Sequence, residues 1–255
     1  MSAGFVELDG HRVEYAVIGG SGREAPLLVF LHEGLGSVAM WRDFPQRVAA
    51  ATGCPALVYS RYGYGSSAPL AGPRRPDYLH DEALRALPQL LDALGARRPL
   101  LIGHSDGASI ALIHAGGAGR PVAGVVAMAP HVMVEDIALD GIRATVAAYE
   151  TTDLRQRLAR YHDDADGAFR GWSGIWLDPA FRGWNIEEYL PRIAAPVLAI
   201  QGFEDEYATM EQIDRIARLA PDADLLKLAD CRHSPHRDQP DAVVSAIAAF
   251  VARIA

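Results

Sequence analysis

The run Pro99-Leu100-Leu101-Ile102-Gly103-His104-Ser105-Asp106-Gly107-Ala108-Ser109-Ile110-Ala111-Leu112-Ile113 decides how the rest of the chain is read. Its first four residues read as a short strand buried on both faces. Its last six read as the start of a helix. Between them a serine stands with a glycine two positions away on either side. A strand that turns sharply into a helix leaves no room for Cβ atoms at those flanking positions, and glycine has none. Such a turn exposes the Ser105 hydroxyl above the positive end of the following helix. A hydroxyl displayed in this way is a candidate nucleophile.

Outward from this turn, strand and helix signals alternate. Residues 5–8 and 12–18 read as two strands around an Asp9-Gly10 hairpin turn, and 19–23 as a loop. Residues 26–31 and 55–59 are continuous apolar runs, the signature of parallel strands buried on both faces. Residues 38–52 look helical. Residues 77–94 predict an amphipathic helix with Leu84, Leu87, Leu91 and Leu94 on its apolar stripe and Gly95 as its stop. Further strands are expected at 122–128, 197–201 and 223–228. Thr209-Met210-Glu211-Gln212 resembles a capping box opening a helix, and 240–254 predicts a C-terminal helix. The alternation gives an α/β fold, a mostly parallel central sheet with helices on both faces. Residues 131–191 break the rhythm: helical patches, no convincing strand, and three of the four tryptophans. An insertion of this length exceeds an ordinary connection. It is expected to be a helical cap over the site, leaving 1–130 and 192–255 as the core domain.

Bulk properties narrow the function. The 255 residues can bury one large core; half are hydrophobic and 22% are charged. A net charge of −8 argues against nucleic-acid or anionic-membrane partners, which need a basic surface. The N-terminal residues 1–15 show no apolar signal segment, and no stretch reaches transmembrane length. A soluble cytoplasmic protein is the expectation, with homo-oligomerisation left open. Cys54 and Cys231 are too few for a disulfide framework and fit no metal spacing; a single bridge stays open.

With these motifs in place, the chain resembles the α/β-hydrolase superfamily over nearly its whole length, including its biphenyl-hydrolase-like, meta-cleavage and carboxylesterase branches. Gly103-His104-Ser105-Asp106-Gly107 matches the family's G-x-S-x-G nucleophile elbow. The resemblance implies a triad in the order Ser, acid, His. Gly202-Phe203-Glu204-Asp205 matches the Gly-x-x-Asp pattern after the penultimate strand, making Asp205 the acid candidate. Glu135 and Asp136 are the alternative, for relatives that carry the acid one strand earlier. His233, in His233-Ser234-Pro235-His236, matches the catalytic histidine; His236 falls at a packing position. Arg232 stands where the family often has glycine.

The loop His32-Glu33-Gly34-Leu35-Gly36-Ser37 resembles the family's oxyanion loop. The resemblance implies backbone N–H donors at Gly34 and at Asp106, the residue after the nucleophile. Glu33 replaces a usual glycine. A carboxylate there is unfavourable if it points inward, so it is expected to turn away or to pair with an arginine, Arg61 being the candidate. Asp106 is expected to cap or pair locally; exposed, it would attract a cationic substrate group. Trp172, Trp176 and Tyr149 are the candidate pocket residues. His233 with His236, or His131 with Glu135, lacks a third metal ligand, so neither metal nor cofactor is expected.

The resemblance therefore implies an enzyme, a serine hydrolase cleaving small carboxylic esters with apolar or aromatic acyl groups. Its partner would be a small ester-like molecule. A C–C bond hydrolase of the meta-cleavage type, a thioesterase or a lactonase would use the same triad. A ligand-binding receptor on the same fold is the alternative from outside enzymology.

Overall fold

The computed structural model describes residues 2–19 and 25–254; most of the loop expected at 19–23 lies outside them. Strands β1 (Ser2–Leu8) and β2 (His11–Ile18) form the expected hairpin. Asp9 and Gly10 turn the chain with φ of 49° and 77°, the paired positive values of a two-residue hairpin turn. The six remaining strands are β3 (Leu28–Leu31), β4 (Ala56–Tyr59), β5 (Leu100–His104), β6 (Gly124–Met128), β7 (Val197–Gly202) and β8 (Ala223–Leu228). They join the hairpin in one sheet, ordered β1-β2-β4-β3-β5-β6-β7-β8. β2 runs antiparallel to β4; from β4 to β8 every pairing is parallel.

The continuous apolar runs follow from burial on both faces. Phe30, Val58, Ile102, Val126 and Ile200 pack against Phe44 and Val48 of α1 (Phe44–Thr52) and Val243, Ile247 and Phe250 of a C-terminal helix, Pro240–Ile254. Their sequence neighbours Val29, Leu57, Leu101, Val125 and Ala199 point to the opposite layer. There they meet α2 (Tyr78–Asp81), α3 (Leu87–Ala93), α4 (Asp106–Gly117) and a helix at Glu211–Leu219. Each such side chain contributes about 1.5–3 kcal/mol by burial.

Two helices differ from expectation, both because of proline. The helix expected from residue 38 begins at Phe44, because Pro45 is tolerated only in a first turn. Ahead of it stands a single 3₁₀ turn, Ala39–Trp41. The helix expected over 77–94 holds Pro88, whose ring would strike the carbonyl four residues back. The chain widens into a π turn at Glu82–Ala86 and restarts as α3. This rotates the apolar stripe: Leu79, Ala83, Leu87, Leu90 and Leu91 are buried, whereas Leu84 and Leu94 are half-buried.

Between β6 and β7 lie α5 (Asp136–Thr151), α6 (Leu154–Leu158) and α7 (Ala165–Trp176), followed by 3₁₀ turns Pro179–Phe181 and Glu187–Arg192. Its single strand-like feature among the described residues is an isolated bridge, Met133 to Asn185. The remaining helices are α8 (Glu211–Leu219), α9 (Pro235–Asp238) and α10 (Pro240–Ile254). α8 is not opened by the expected capping box. Thr209 Oγ1 accepts from the Glu211 amide at 3.2 Å, but the Gln212 side chain turns inward to Val132, Met133 and Glu135.

Strand order reverses about β3: the chain leaves it for β4 on one side and returns to β5 on the other. The loops after β3 and β5 therefore diverge and open a crevice at the carboxyl ends of the strands. Gly34 and Ser105 stand on these two loops.

Candidate active site

Ser105 adopts φ 52° and ψ −119°, a conformation L residues avoid. The strain sits on the serine, while the flanking glycines serve close approach. A Cβ on Gly103 would collide with the main chain of Gly107 and Ala108, and one on Gly107 with the Leu31 carbonyl. The elbow thus presses against the end of β3. Ser105 closes the first turn of α4 through its own carbonyl, which accepts from the Ala108 and Ser109 amides at 2.9 and 3.1 Å.

The three residues expected to form a triad come together from distant parts of the chain. The Ser105 hydroxyl donates to His233 Nε2 at 3.0 Å, and His233 Nδ1–H faces both Asp205 oxygens at 2.9 Å. Asp205, after β7, also accepts from the Tyr207 amide at 2.8 Å, the Ala208 amide at 3.2 Å and Gln201 Nε2 at 2.9 Å. Burial alone would raise its pKa. The charge and hydrogen bond of His233, with the Tyr207 amide, outweigh this and hold it below the usual carboxylate value. Burial would likewise lower the pKa of His233, but the Asp205 charge and hydrogen bond prevail and hold it above the ordinary imidazole value. The alternative acids are engaged elsewhere. Glu135 accepts from Thr209 and Gln212, and Asp136 pairs with Arg182. The neighbours of Asp205 clamp the histidine loop: Glu204 accepts from the Cys231 amide, and Glu206 from the His233 amide and Arg232. Arg232, in its unusual place, is accommodated by that ion pair. His236 packs against Trp41 and Phe44, as its position implied.

The loop after β3 is fixed by His32. Its Nδ1 donates to the Glu33 carbonyl at 2.6 Å and its Nε2 accepts from the Arg61 amide at 2.9 Å. Burial, then the Arg61 charge, hold this imidazole well below its usual pKa and so neutral. Gly34 and Asp106 line one cavity with Ser105. Glu33 pairs with an arginine, but it is Arg237 and not the candidate Arg61. Arg61 donates to the Glu33 main-chain carbonyl at 3.0 Å and lies 3.4 Å from the Asp106 carboxylate. The Glu33 carboxylate meets Arg237 at 3.3 Å and His104 Nδ1 at 3.5 Å. Burial would raise its pKa, but His104 and Arg237 hold it well below the usual range. Arg61 is spent on Asp106 because both are fully buried, and a buried charge is tolerated only when paired. Asp106 is paired, though with partners distant in the chain: besides Arg61, Tyr78 donates to it at 2.9 Å and Trp176 Nε1 at 3.2 Å.

The cavity above Ser105 holds about 120 Å³. Its wall includes Ala138, Ile142, Thr145, Trp172 and Trp176 from the inserted helices. Trp172 and Trp176 stand where expected. Tyr149 does not: it stacks on Phe169 and donates to Asp166 in a separate depression, lined with Arg155. It faces away from Ser105 and joins α5 to α7. Sequence reading missed three groups at the site. His104 occupies the position before Ser105 and donates to the His233 carbonyl at 2.7 Å. Gln201, the penultimate residue of β7, supports Asp205. His131 follows β6 and lines the cavity; its place at a strand's carboxyl end was the available signal.

A family model described as the Alpha/beta hydrolase family matches residues 28–246. The chain belongs to the alpha/beta hydrolase family. Among curated proteins, this family member is similar to an sn-1-specific diacylglycerol lipase, ABHD11, of Danio rerio. The two are 24% identical over 269 residues, which covers 93% of this chain and 81% of the relative. Among solved structures it resembles a membrane phospholipase A described as a bacterial virulence factor, with a TM-score of 0.79 at 20% identity, covering 99% and 86% of the two chains. It also resembles the esterase RhEst1 of Rhodococcus sp. ECU1013, with a TM-score of 0.75 at 22% identity over 100% of both. No described helix of this hydrolase-family chain is long and apolar enough to cross a membrane. Among the described residues, no cluster of three or more His, Cys, Asp or Glu is placed to hold a metal ion.

Proposed function

We propose that this protein is a serine hydrolase of small carboxylic esters, with Ser105 as nucleophile, His233 as general base and acid, and Asp205 as its partner. The observation that carries the reading is the unbroken chain of contacts from Ser105 Oγ through His233 to Asp205, at 3.0 and 2.9 Å. A serine hydroxyl is a poor nucleophile at neutral pH. His233 takes its proton as Oγ attacks the ester carbonyl, then returns it to the departing alcohol oxygen. Asp205 holds Nδ1 protonated and stabilises the imidazolium. The Gly34 and Asp106 amides meet the developing oxyanion. Water, activated by His233, then frees the acyl group from Ser105. No step draws on a metal or cofactor.

The cavity supports a substrate class. A site of about 150 Å³ holds a benzene ring, so the smaller cavity of about 120 Å³ suits a short acyl group. Trp172, Trp176, Ala138 and Ile142 supply the apolar wall. In this reading residues 131–191 act as the cap. The relatives named as a lipase and an esterase support ester bonds as the target.

The test pairs a fluorophosphonate probe with nitrophenyl esters of increasing acyl length. Wild-type protein is expected to be labelled at Ser105 and to favour short acyl groups, while Ser105→Ala loses both label and turnover. Turnover surviving in a folded Ser105→Ala protein would overturn the assignment.

A further inference from the structure

The polar groups around the cavity are mostly committed. Thr145 and Tyr207 hydroxyls bond each other at 2.6 Å, Trp176 Nε1 is held by Asp106 and Tyr78, and Ser105 is bonded to His233. His131 differs. Its main chain is pinned on both sides by Ser109, whose Oγ accepts from the His131 amide at 3.2 Å and donates to its carbonyl at 2.7 Å. Its ring makes no hydrogen bond to any described residue, and Nδ1 is buried without a partner. The ring lines the cavity, its centroid 4.9 Å from that of Trp176 and 5.8 Å from that of His233. Ser109 fixes the backbone and Trp176 packs edge-on against the ring, so the imidazole is placed before any substrate arrives. Nδ1 is closed off, so the unbonded Nε2 is the ring nitrogen left for a ligand group in the cavity.

We propose that His131 is a specificity residue that hydrogen-bonds a neutral oxygen on the leaving alcohol of the substrate, so that esters of hydroxyl-bearing alcohols are preferred. This rests on the triad assignment above. The argument for the leaving side is position. His233 hands its proton to the leaving oxygen, and His131 is the unspent ring beside His233. Trp172, the other wall side chain with a ring N–H outside the hydrogen-bond network, packs at Gly34 on the oxyanion loop. The argument for a neutral group is charge. Burial, then the nearby His233 charge, push the pKa of His131 down to about 4. The imidazole is therefore uncharged at neutral pH, and Nε2 can bond a hydroxyl in either tautomer, as donor or as acceptor.

The experiment compares 2-hydroxyethyl butanoate with propyl butanoate, which differ by a terminal hydroxyl in place of a methyl. Wild-type kcat/KM is expected to favour the hydroxyethyl ester by about tenfold, the worth of one well-placed hydrogen bond. His131→Leu should abolish the preference, chiefly through KM. His131→Gln, which keeps a donor and an acceptor, should restore part of it. Equal rates on the two esters in wild type would overturn the inference, as would equal losses on both in His131→Leu. A preference confined to acyl-side hydroxyls (3-hydroxybutanoate over pentanoate nitrophenyl esters) would also overturn it. If the fluorophosphonate labels Ser105 and neither butanoate is cleaved, the His131 inference falls alone. If Ser105 is not labelled, the triad reading falls and takes this inference with it.

Discussion

At Ser105 a strained backbone and a displayed hydroxyl are the same feature. Its φ of 52° is held by Gly107 packed on the Leu31 carbonyl and by the Ser105 amide bonded to the Met128 carbonyl at 2.9 Å. Strain of this kind costs about 1–3 kcal/mol in a residue with a Cβ, against about 0.5–1 kcal/mol of extra chain entropy for glycine. Ser105→Gly should therefore unfold at a higher temperature than Ser105→Ala, by about 1 kcal/mol, though both lack the nucleophile. A glycine variant less stable than the alanine variant would show that the elbow is relaxed. His233 supports a second prediction. Asp205 holds its imidazolium above the ordinary value, and only the neutral form can accept the serine proton. Activity should thus rise with pH through a midpoint above about 6.5. Asp205→Asn removes the charge that raises this pKa. Its pH midpoint should move downward while kcat falls on the order of 10⁴-fold. An unmoved midpoint in a folded Asp205→Asn enzyme would assign the His233 shift to Glu206 or Glu33 instead.

Secondary elements bring these residues together through contacts of very different legibility. The central strands were readable because burial on both faces demands unbroken apolar runs such as residues 28–31 and 100–102. Ser105 was readable from the glycines of the sharp turn after such a strand, whereas Asp205 and His233 were implied by the resemblance of residues 202–205 and 233–236 to the family's patterns. What was hidden depends on partners distant in the chain. Arg61 was the candidate partner of Glu33, but Arg61 is claimed by Asp106, 45 residues on, and Arg237 reaches Glu33 from α9. Tyr149 looked like a pocket aromatic, yet helix phase turns it toward Phe169 and Asp166. Gln212 looked like half of a capping box and instead ties α8 to the segment leading into α5. Its Oε1 accepts from the Val132 amide at 2.6 Å, and its Nε2 donates to Glu135 at 2.7 Å. Gln212→Ala would strand the buried Val132 amide and should cost about 1–3 kcal/mol in urea unfolding. A loss below about 0.5 kcal/mol would show that the amide finds another acceptor.

Across the whole molecule, one sheet carries both the core and the site, so site loops are expected to open only when the sheet does. The two cysteines test this coupling. Both are free and buried. Cys54 lies beside β4 in the layer formed with α1 and α10, whereas Cys231 opens the loop that carries His233. That loop is locked to β7: Gly202 has no Cβ, and one there would strike the Cys231 carbonyl, which accepts from the Glu204 amide at 3.1 Å. Burial, reinforced by Asp238 and Asp205, pushes the Cys231 thiol up to about 12, so almost no thiolate forms at pH 8. Neither thiol should react with an aromatic disulfide reagent in the native state at a rate above that of unfolding. In rising sub-denaturing urea both should become reactive together, with one slope, because their exposure requires the same cooperative opening. Cys231 reacting ahead of Cys54, with a shallower slope, would reveal a separate opening of the His233 loop. In that case the triad would be assembled by a local equilibrium, and turnover should fall at urea concentrations where the sheet remains intact.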